Sequence, residues 1–567
     1  MLDATKPPHQ GPHVPPQTPT HTTSRRAWLG ALGASLTAGP AATPRERAPR
    51  EDLADAKAAQ RLAGLTFSEA DLERAAPRLR AQRAAYDDLR AYRLDRFTDP
   101  AFQFDPWPAG AVRPPLEAPA PFAPPAVANA DPVDADLAFA SIAELQALLR
   151  AGRLTSRRLT ELALARLLDL DQQLHCVVTL LREHALGAAD RADAELRAGR
   201  VRGPLHGIPF GAKDLFAHPA GPTTFGAAPF RTQHLPMRAT VLARLEDAGA
   251  VLVAKLSLGA LAMGDRWFGG TTRNPWNPEQ GSSGSSAGSA AATAAGLVPF
   301  ALGTETLGSI VSPAVRCSVT GLRPTFGAIP RTGAMALSWT MDKVGVLARS
   351  ALDCALVFDV LRGPDDVDLS TRRAGFGFTA SGDLRGMRVG VLAGQRQPPD
   401  AGFVAFLRDH GVELGDVAWP DLPYAAMRTI LEVEAATAFD ELTREGGVDQ
   451  LADQSARAWP SLFRAARFVP AVEYVRAQRV RRDLVQAMAA TMAGFDAVLA
   501  PTHTGATLLC SNLSGHPTVV FPVADGPRQP SSASLIGGLF GEASLLRIVH
   551  AWQRESEFHR RRPPRTR

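Results

Sequence analysis

The chain has 567 residues, 45% of them hydrophobic and 21% charged, an ordinary globular composition that allows one large domain with extensions or several smaller domains. Lys and Arg number 62 against 57 Asp and Glu, and no basic stripe is interleaved with aromatic residues, so we expect no nucleic-acid partner. The four cysteines lie far apart, without a Cys-x-x-Cys pair, which argues against a disulfide framework and against a structural zinc site.

The first 42 residues contain the features of an export signal in the right order. Arg25 and Arg26 stand directly before a short, weakly apolar run, and small residues follow at 38–43. The run is too short to span a bilayer, and the segment resembles a twin-arginine signal; the alternative is a chance arginine pair in a disordered tail. We therefore expect residues 1–42 to be a signal peptide. The protein is then exported folded, is periplasmic or secreted, and has no stable membrane insertion after signal removal.

Residues 43–104 are expected to form a helical N-terminal extension. They are rich in Ala, Arg, Leu, Glu and Asp, and Ser68 with Asp71 three residues later has the pattern of a capping box. A break or kink is expected near Pro77. Residues 105–133 are so rich in proline that no core element fits, which indicates a semi-rigid linker or a segment lying over a surface.

From residue 134 onward the pattern alternates between helices and strands. Ser141 and Glu144 predict a capped helix that ends at Gly152. Further along, GIPFGAKDLF predicts a strand that enters a turn, and TVLARLEDAGA followed by VLVAKLSL predicts a helix and then a buried strand. We therefore expect one large α/β domain at 134–555, followed by a basic tail at 556–567.

The stretch EQGSSGSSAGSAAATAAG at 279–296 could be a flexible linker or part of an active site. Glycine and serine are typical of linkers, but the stretch continues into a helix made almost wholly of small residues. Such a helix is usually buried, because small side chains allow other backbones to approach closely. The flanking sequence therefore argues against a linker.

One enzymatic interpretation of this stretch is the nucleophile elbow of the α/β-hydrolases. GSSAG at 284–288 matches G-x-S-x-G, with Ser286 at its centre. The elbow requires a buried strand directly before it, and NPWNPEQGSS is a poor strand. Because the match is five residues in a Gly/Ser-rich segment, it is the less favoured alternative.

A second resemblance covers far more of the chain. Between about Ser141 and Arg554 four stretches occur in the order GPLHGIPFGAKD, SGSSAGSAAATAAG, GTETLGSIVSPA and GLRPTFGAIPRTGAM, and together they resemble the motifs of the amidase signature family. The resemblance implies an α/β fold with a large mixed β-sheet covered by helices on both faces. It also implies hydrolysis of a carboxamide or N-acyl amide, a small-molecule amide as the substrate, and neither a metal nor a cofactor.

The resemblance also assigns catalytic roles to individual residues. Lys213 in GIPFGAKD is the base, Ser309 in the LGSI turn is the nucleophile, and Ser285 relays the proton between them from a cis peptide bond after Gly284. A lysine acts as a base only when neutral, so burial must lower its pKa by several units from a reference of about 10.4. The less favoured alternatives for the bridging serine are Ser282 and Ser283. Asp214 should point to the opposite face of the strand from its neighbour in sequence.

The turn in TETLGS is expected to bind the attacked carbonyl oxygen. The resemblance implies an oxyanion hole formed by the backbone N–H groups of Thr306, Leu307, Gly308 and Ser309. The commonest family pattern has Gly in place of Leu307 and Arg in place of Val311. Backbone donors are kept when a side chain changes, so we interpret these departures as marks of a subgroup with a different substrate pocket.

Several other residues have expected structural roles. Asp342 and Arg349 lie in a motif similar to one in the family and are expected to form a structural ion pair or to anchor a loop. His206 and His516 are expected to be packing histidines. The candidates for a pocket lining, with core packing at least as common, are Trp267, Trp339 and Met263.

The sequence thus predicts an exported serine amidase, with two alternatives. A glutaminase-type subunit of a tRNA-dependent amidotransferase shares these motifs, but it would act in the cytoplasm beside a partner subunit, which the export signal argues against. The other alternative is a catalytically inactive exported binding protein on an amidase scaffold, which the complete lysine and serine set argues against. No motif at 364–480 indicates the substrate, and none indicates the oligomeric state.

Overall fold

The computed structural model describes residues 49–73, 76, 79, 104–107, 133–393, 400–502 and 505–564. These residues fall into two compact units, one within 1–89 and one within 90–567. The predicted signal peptide at 1–42 lies outside the described residues, as do most of the predicted linker and the predicted kink at Pro77.

The smaller unit is mostly helical where it is described, with a turn and an extended segment at 63–68. Helix α1 spans Pro49–Leu62, and residues 69–73 are also helical. The Ser68 hydroxyl accepts a hydrogen bond from the backbone N–H of Asp71 at 3.2 Å, so Ser68 caps the second helix as its sequence predicts.

The larger unit contains the sheet. Its strands in chain order are β1 Val177–Leu180, β2 Pro209–Lys213, β3 Val251–Leu256, β4 Arg266–Trp267, β5 Gly270–Thr271, β6 Arg273–Asn274, β7 Asn277–Gly281, β8 Phe300–Glu305, β9 Thr320–Arg323, β10 Lys343–Ala348, β11 Arg388–Leu392, β12 Glu413–Val417, β13 Ala497–Ala500, β14 Thr518–Ala524 and β15 Ser531–Gly537.

Among the described residues, eleven of these strands form one mixed sheet in the order β1-β3-β2-β8-β10-β9-β14-β15-β13-β11-β12. The pairs β3–β2, β2–β8, β13–β11 and β11–β12 are parallel, and the remaining neighbours are antiparallel. The short strands pair separately, β4 with β5 and β6 with β7.

Helices flank this sheet. They are α2 Asp134–Leu137, α3 Ile142–Arg150, α4 Ser156–Leu174, α5 Arg182–Arg197, α6 Thr240–Asp247, α7 Ala287–Ala294, α8 Val311–Cys317, α9 Ala351–Leu361, α10 Ala401–Asp409, α11 Tyr424–Met427, α12 Thr429–Ala438, α13 Asp440–Arg444, α14 Trp459–Ala466, α15 Ala471–Met492, α16 Gly505–Leu513 and α17 Glu542–Glu555. The expectation of an α/β fold with a large mixed sheet is confirmed.

Local signals in the sequence explain where α3 begins and ends. Ser141 and Glu144 form the predicted capping box, in which the Ser141 hydroxyl accepts from the Glu144 N–H and the Glu144 carboxylate accepts from the Ser141 N–H. Gly152 follows the helix with φ +69°, a conformation that favours glycine. None of the described helices has the length and apolar character needed to cross a bilayer.

Two parallel strands bring the chemically important segments to one edge of the sheet. β2 pairs with β8 in the register Phe210 to Phe300, so both strands end at the same edge. Lys213 is the last residue of β2, and Glu305 is the last residue of β8. The turn that contains the predicted nucleophile follows Glu305 directly.

Helix α7 is the second half of the Gly/Ser stretch at 279–296, and it packs beside β2 and β8. Every residue of the helix is buried, as its composition of small residues predicts. A Cβ at Gly288 would lie 2.5 Å from the carbonyl oxygen of Cys176, so glycine is required where the two segments meet. A Cβ at Gly303 of β8 would likewise lie 2.7 Å from Ser286 Oγ.

Candidate active site

Lys213 lies at the centre of a buried polar cluster. Its side chain is fully buried, and its Nζ lies 2.8 Å from Ser285 Oγ and 3.2 Å from Ser286 Oγ. The same Nζ lies 2.9 Å from Thr304 Oγ1 and 3.4 Å from the Thr304 carbonyl oxygen. The cluster therefore joins the end of β2 to β8 and to the Gly/Ser stretch.

Burial lowers the pKa of Lys213 from 10.5 to about 7, while the charges of Asp342 and Glu305 oppose this shift. Asp214 does not stabilise the charged form of Lys213, because the Asp214 carboxylate pairs instead with Lys255 at 2.7 Å, with both side chains fully buried. The side chain of Asp214 thus points away from Lys213, as predicted. Lys213 can bind and release a proton near neutral pH, which is the property a base requires.

The Gly/Ser stretch approaches Lys213 through Ser285. The Gly284–Ser285 peptide bond is cis, as the resemblance implies, and the Ser285 side chain is buried. A Cβ at residue 284 would overlap the carbonyl oxygen of Gly264, so glycine is required at this close approach of two loops.

The two less favoured bridging serines make other contacts. The Ser282 hydroxyl donates to the Ser283 carbonyl oxygen at 3.0 Å, and the Ser283 N–H donates to Asp265 Oδ2 at 3.0 Å. Among the described residues, neither serine forms a hydrogen bond with Lys213.

The environment of Ser286 differs from that of the serine in a nucleophile elbow. The preceding strand β7 is partly exposed and pairs with β6 outside the large sheet. The Ser286 hydroxyl donates to the Thr304 carbonyl oxygen at 3.1 Å and accepts from the Thr304 N–H at 3.2 Å. Its proton is therefore already engaged by the backbone of β8.

Ser309 stands in the turn between β8 and α8, beside the Gly/Ser stretch. Its carbonyl oxygen accepts from the Ser286 N–H at 3.0 Å, and Gly308 before it has φ +87°. Ser309 is half-buried, and its hydroxyl forms no hydrogen bond with the described part of the chain. Within the same residues, the N–H groups of Leu307, Gly308 and Ser309 have no acceptor, so they are available to an oxygen bound in the turn.

A buried carboxylate that the sequence reasoning missed supports this turn. Glu305 Oε2 accepts from the N–H groups of Ile310 and Val311 at 2.8 and 2.9 Å. Its Oε1 accepts from Arg323 at 2.7 Å and from Asn512 at 2.8 Å. The only sequence signal for this role is a Glu inside the predicted TETLGS turn, since its partners Arg323 and Asn512 lie 18 and 207 residues away and belong to no motif that contains it.

Asp342 and Arg349 each anchor loops, and they do not pair with one another. Asp342 accepts from the Thr306 hydroxyl at 2.5 Å and from the Leu337 and Ser338 N–H groups at 2.8 and 2.9 Å. Arg349 donates to the carbonyl oxygens of Ala140, Thr293 and Val298, at 2.7, 3.4 and 3.3 Å. The predicted alternative of a loop anchor is therefore correct for both residues.

The two histidines named from the sequence have packing roles. His206 is buried and its Nδ1 accepts from the Arg202 N–H at 3.1 Å. His516 contacts the Ser514 hydroxyl at 2.8 Å, and burial lowers the pKa of its imidazole to about 3. Trp267 is buried and donates to the His175 carbonyl oxygen at 3.3 Å, as a core residue does.

One group of potential metal ligands occurs among the described residues, and none of its members contacts Lys213. Nitrogen and oxygen atoms of His184, His218 and Glu246 lie within 4.8 Å of one another. His218 Nδ1 accepts from the Ala220 N–H at 3.1 Å, so Nε2 carries the proton and faces the Glu246 carboxylate at 3.3 Å. Arg238 adds a positive charge 3.0 Å from Glu246, and the group is better described as a hydrogen-bonded cluster than as a metal site.

Comparisons with known proteins identify the family of the chain. A family model described as Amidase matches residues 158–535. The A subunit of the glutamyl-tRNA(Gln) amidotransferase of Roseiflexus sp. (strain RS-1) is 33% identical over 476 residues, which is 74% of this chain and 96% of that protein. The corresponding protein of Halorhodospira halophila is 32% identical over 478 residues, 75% of this chain and 98% of that protein.

Solved structures give the same result. The native peptide amidase from Stenotrophomonas maltophilia has a TM-score of 0.68 and 32% sequence identity to this chain, with 75% of this chain and 98% of that chain covered. The A subunit of the glutamyl-tRNA(Gln) amidotransferase of Thermotoga maritima has a TM-score of 0.61 at 24% identity, which is a likeness of fold. The matched family model covers well over half of the sequence, and the chain belongs to the Amidase family of amide-hydrolysing enzymes.

Proposed function

We propose that this enzyme hydrolyses the C–N bond of a carboxamide or N-acyl amide through an acyl-enzyme on Ser309. The observation that carries the proposal is the 2.8 Å contact between Lys213 Nζ and Ser285 Oγ, at a buried lysine whose pKa is about 7. The turn beside it offers a half-buried Ser309 hydroxyl and N–H groups without protein acceptors among the described residues.

The hydrogen bonds around Lys213 are compatible with a neutral amine acting as a base. A neutral amine has two N–H donors and one lone pair. The Ser286 hydroxyl donates to the Thr304 carbonyl oxygen, so the contact between Lys213 and Ser286 is one in which Lys213 donates. The second N–H of the neutral Lys213 amine donates to Thr304 Oγ1. The lone pair is then directed to Ser285, the position needed to accept its hydroxyl proton.

The proposed reaction has two half-reactions. Lys213 takes the Ser285 proton while Ser285 takes the Ser309 proton, and Ser309 Oγ attacks the amide carbon, with the oxyanion bound by the N–H groups of the turn. The C–N bond then breaks, the relay returns the proton to the departing amine, and an ester to Ser309 remains. Water, deprotonated by the same relay, hydrolyses this ester and releases the carboxylic acid.

We also propose that the enzyme acts after twin-arginine export, in the periplasm or outside the cell. The arginine pair, the short apolar run and the small residues at 38–43 support this proposal. The departures at Leu307 and Val311 support a separate subgroup within the family, with its own substrate preference.

A second candidate function is that of a glutaminase-type subunit of a tRNA-dependent amidotransferase. Relatives named as glutamyl-tRNA(Gln) amidotransferase subunits, 32–33% identical over about three quarters of this chain, favour it. Such a subunit delivers ammonia to a partner, so glutamine would be its preferred amide and a partner subunit would stimulate its activity. The amidase proposal predicts turnover of simple amides by the chain alone.

The first test is labelling of the mature protein with a fluorophosphonate. Labelling of wild type that is lost in Ser309→Ala and retained in Ser286→Ala supports Ser309 as the nucleophile, and Ser285→Ala should slow labelling strongly. Labelling lost only in Ser286→Ala would overturn the assignment in favour of the nucleophile elbow. A folded wild-type protein that neither labels nor hydrolyses any amide would favour the inactive binding protein.

A further inference from the structure

A small cavity adjoins the candidate active site. Its volume is about 90 Å³, and it reaches Thr304, which contacts Lys213, and Thr306 in the turn. Most of its wall is apolar, with side chains that include Leu215, Met237, Met335, Leu337 and Val367. A group of a few non-hydrogen atoms attached to the reacting amide therefore has an apolar space to enter.

The charged groups in the cavity wall are already compensated. Arg331 pairs with Asp368 at 3.0 Å, and both oxygens of Asp342 accept hydrogen bonds from the turn and the following loop. Lys343 donates to the Met341 carbonyl oxygen, and burial, the largest influence on its pKa, disfavours its charged form. The described wall thus presents no free charge to a ligand.

Two side-chain polar atoms in the described wall are buried without a hydrogen-bond partner, Thr332 Oγ1 and Trp339 Nε1, and of these only the indole N–H is a donor that cannot also accept. Trp339 lines the cavity, and its indole Nε1 is buried without a hydrogen-bond acceptor among the described residues. A buried N–H without an acceptor is unfavourable, because it has lost its hydrogen bond to water. An acceptor oxygen on a bound ligand would restore that hydrogen bond.

The neighbours of Trp339 hold it in this position. Glu434 from α12 accepts from the Ser338 hydroxyl at 2.6 Å and from the Thr340 N–H and hydroxyl at 3.1 and 2.8 Å. Arg481 from α15 donates to the Thr340 hydroxyl and carbonyl oxygen, each at 2.7 Å. The Trp339 carbonyl oxygen itself accepts from Arg331 at 2.6 Å. The backbone on both sides of the indole is therefore fixed.

Resting on the proposed amidase function, we infer that this cavity binds the acyl part of the substrate and that Trp339 selects it. The acyl group is uncharged and mainly apolar, and it carries one hydrogen-bond acceptor that Trp339 Nε1 contacts. An anionic or cationic acyl group would enter a wall that offers no opposite charge, and it would suffer the full loss of its hydration.

The test compares matched amides on matched variants. The probes are 4-oxopentanamide and 5-oxohexanamide, each paired with the alkyl amide of the same length, and glutaramate as an anion. Trp339→Phe removes the N–H and keeps an aromatic ring. Trp552→Phe is the control, because Trp552 Nε1 is also buried without an acceptor among the described residues but lies on α17, outside the cavity wall.

We expect wild type to have a higher kcat/KM for at least one oxo amide than for its alkyl partner, by about three- to tenfold, the range of one neutral hydrogen bond. Trp339→Phe should lower kcat/KM for the oxo amide more than for the alkyl amide, so that the ratio of the two values falls to about one. Trp552→Phe should keep the ratio. A ratio that survives in Trp339→Phe, an equal loss for both amides, or a preference for glutaramate would overturn the inference.

A binding measurement separates this inference from the proposed function. Calorimetric titration of Ser309→Ala with the same oxo amide, with and without Trp339→Phe, requires no turnover. If wild type fails to label with fluorophosphonate, the proposed function is rejected. The cavity assignment is still supported if Ser309→Ala binds the oxo amide and the double variant Ser309→Ala, Trp339→Phe does not. Equal binding by the two variants would overturn the cavity assignment even if Ser309 labels.

Discussion

Glu305 and Arg323 form an ion pair in which both side chains are fully buried, with 2.7 Å between Oε1 and the guanidinium nitrogen. Burial acts to raise the pKa of Glu305, but Arg323, the Val311 N–H and Asn512 outweigh it and lower the pKa to about 2. The carboxylate is therefore charged at every pH at which the enzyme is expected to work. It connects the end of β8 to the turn that carries Ser309.

Glu305→Gln should destabilise the fold and the turn together. Arg323 would keep its buried charge without a carboxylate, and breaking a buried pair in this way costs about 3–5 kcal/mol. Urea unfolding measures the loss, and the rate of fluorophosphonate labelling should fall with it. Glu557→Gln is the control, because that carboxylate is exposed and should change stability by less than about 1 kcal/mol. Equal effects of the two substitutions would contradict this role for Glu305.

The pH dependence of amide hydrolysis should follow Lys213. The pKa of the lysine is about 7, so only the neutral fraction can accept the Ser285 proton. We expect kcat/KM to fall about tenfold per pH unit below this pKa and to reach a plateau above it. Lys213→Arg should be inactive at every pH, because a guanidinium does not lose its proton. A rate independent of pH between 5 and 8 would exclude Lys213 as the base.

The buried Lys213 should also lower the free energy of unfolding of the protein, by an amount that depends on pH. The unfolded lysine binds a proton up to a pKa of 10.5, and the folded lysine only up to about 7. Between these values the unfolded state holds more protons, so wild-type stability rises with pH across this window. Lys213→Met should therefore have a higher Tm than wild type at pH 7, and the difference should shrink as pH approaches 10.5. Thermal unfolding of both proteins across this range provides the measurement.

Gly284→Ala should abolish activity, because a Cβ there overlaps the carbonyl oxygen of Gly264 and displaces Ser285 from Lys213. Gly187→Ala is the matched control. Gly187 lies inside α5, where a Cβ would meet only the end of the Arg191 side chain at 3.6 Å. That variant should be active and more stable by about 0.5–1 kcal/mol, the usual gain for this change within a helix. Normal turnover by Gly284→Ala would refute the requirement for a glycine.

Export can be tested by changing Arg25 and Arg26 to Lys together. A twin-arginine signal depends on the arginines themselves, so the precursor should accumulate in the cytoplasm and the mature enzyme should disappear from the periplasm. The same change at Arg560 and Arg561 keeps the charge balance and should leave export unaffected. Cell fractionation with detection of the chain measures both. Unchanged export of the first variant would reject the signal.

The sequence predicted the parts of the site that are local in the chain. The strand that runs into a turn at GIPFGAKDLF and the buried small-residue helix α7 follow from local patterns, whereas the contact between Lys213 and Ser285, 72 residues apart, was implied by the resemblance to the family. Lys213 was named through the GIPFGAKD motif of that resemblance, and the apolar strand around it predicted its burial. The oxyanion-hole role of Thr306, Leu307, Gly308 and Ser309 stays a prediction, since it concerns a bound substrate.

The rest of the site depends on residues that are distant in sequence and carry no motif. Glu434 is a carboxylate on α12 that fixes the loop around Trp339, and nothing near it in sequence differs from an exposed helical glutamate. Trp459 on α14 likewise donates to the Leu261 carbonyl oxygen at 2.8 Å, across 198 residues of sequence. Single-chain patterns report local periodicity and burial, whereas these contacts arise from packing across about 100 to 200 residues.

Glu434 and Arg481 bind the residues on either side of Trp339, which has a consequence for how a new substrate selectivity could arise. The groups proposed to carry out the chemistry come from β2, the Gly/Ser stretch and the turn after β8, whereas Glu434 and Arg481, which fix the backbone around Trp339, come from α12 and α15. Exchanging the helical segment 424–492 would therefore retune the pocket and leave the proton relay intact. The enzyme is in this sense modular, and grafting that segment between homologues is a route to altered substrate range.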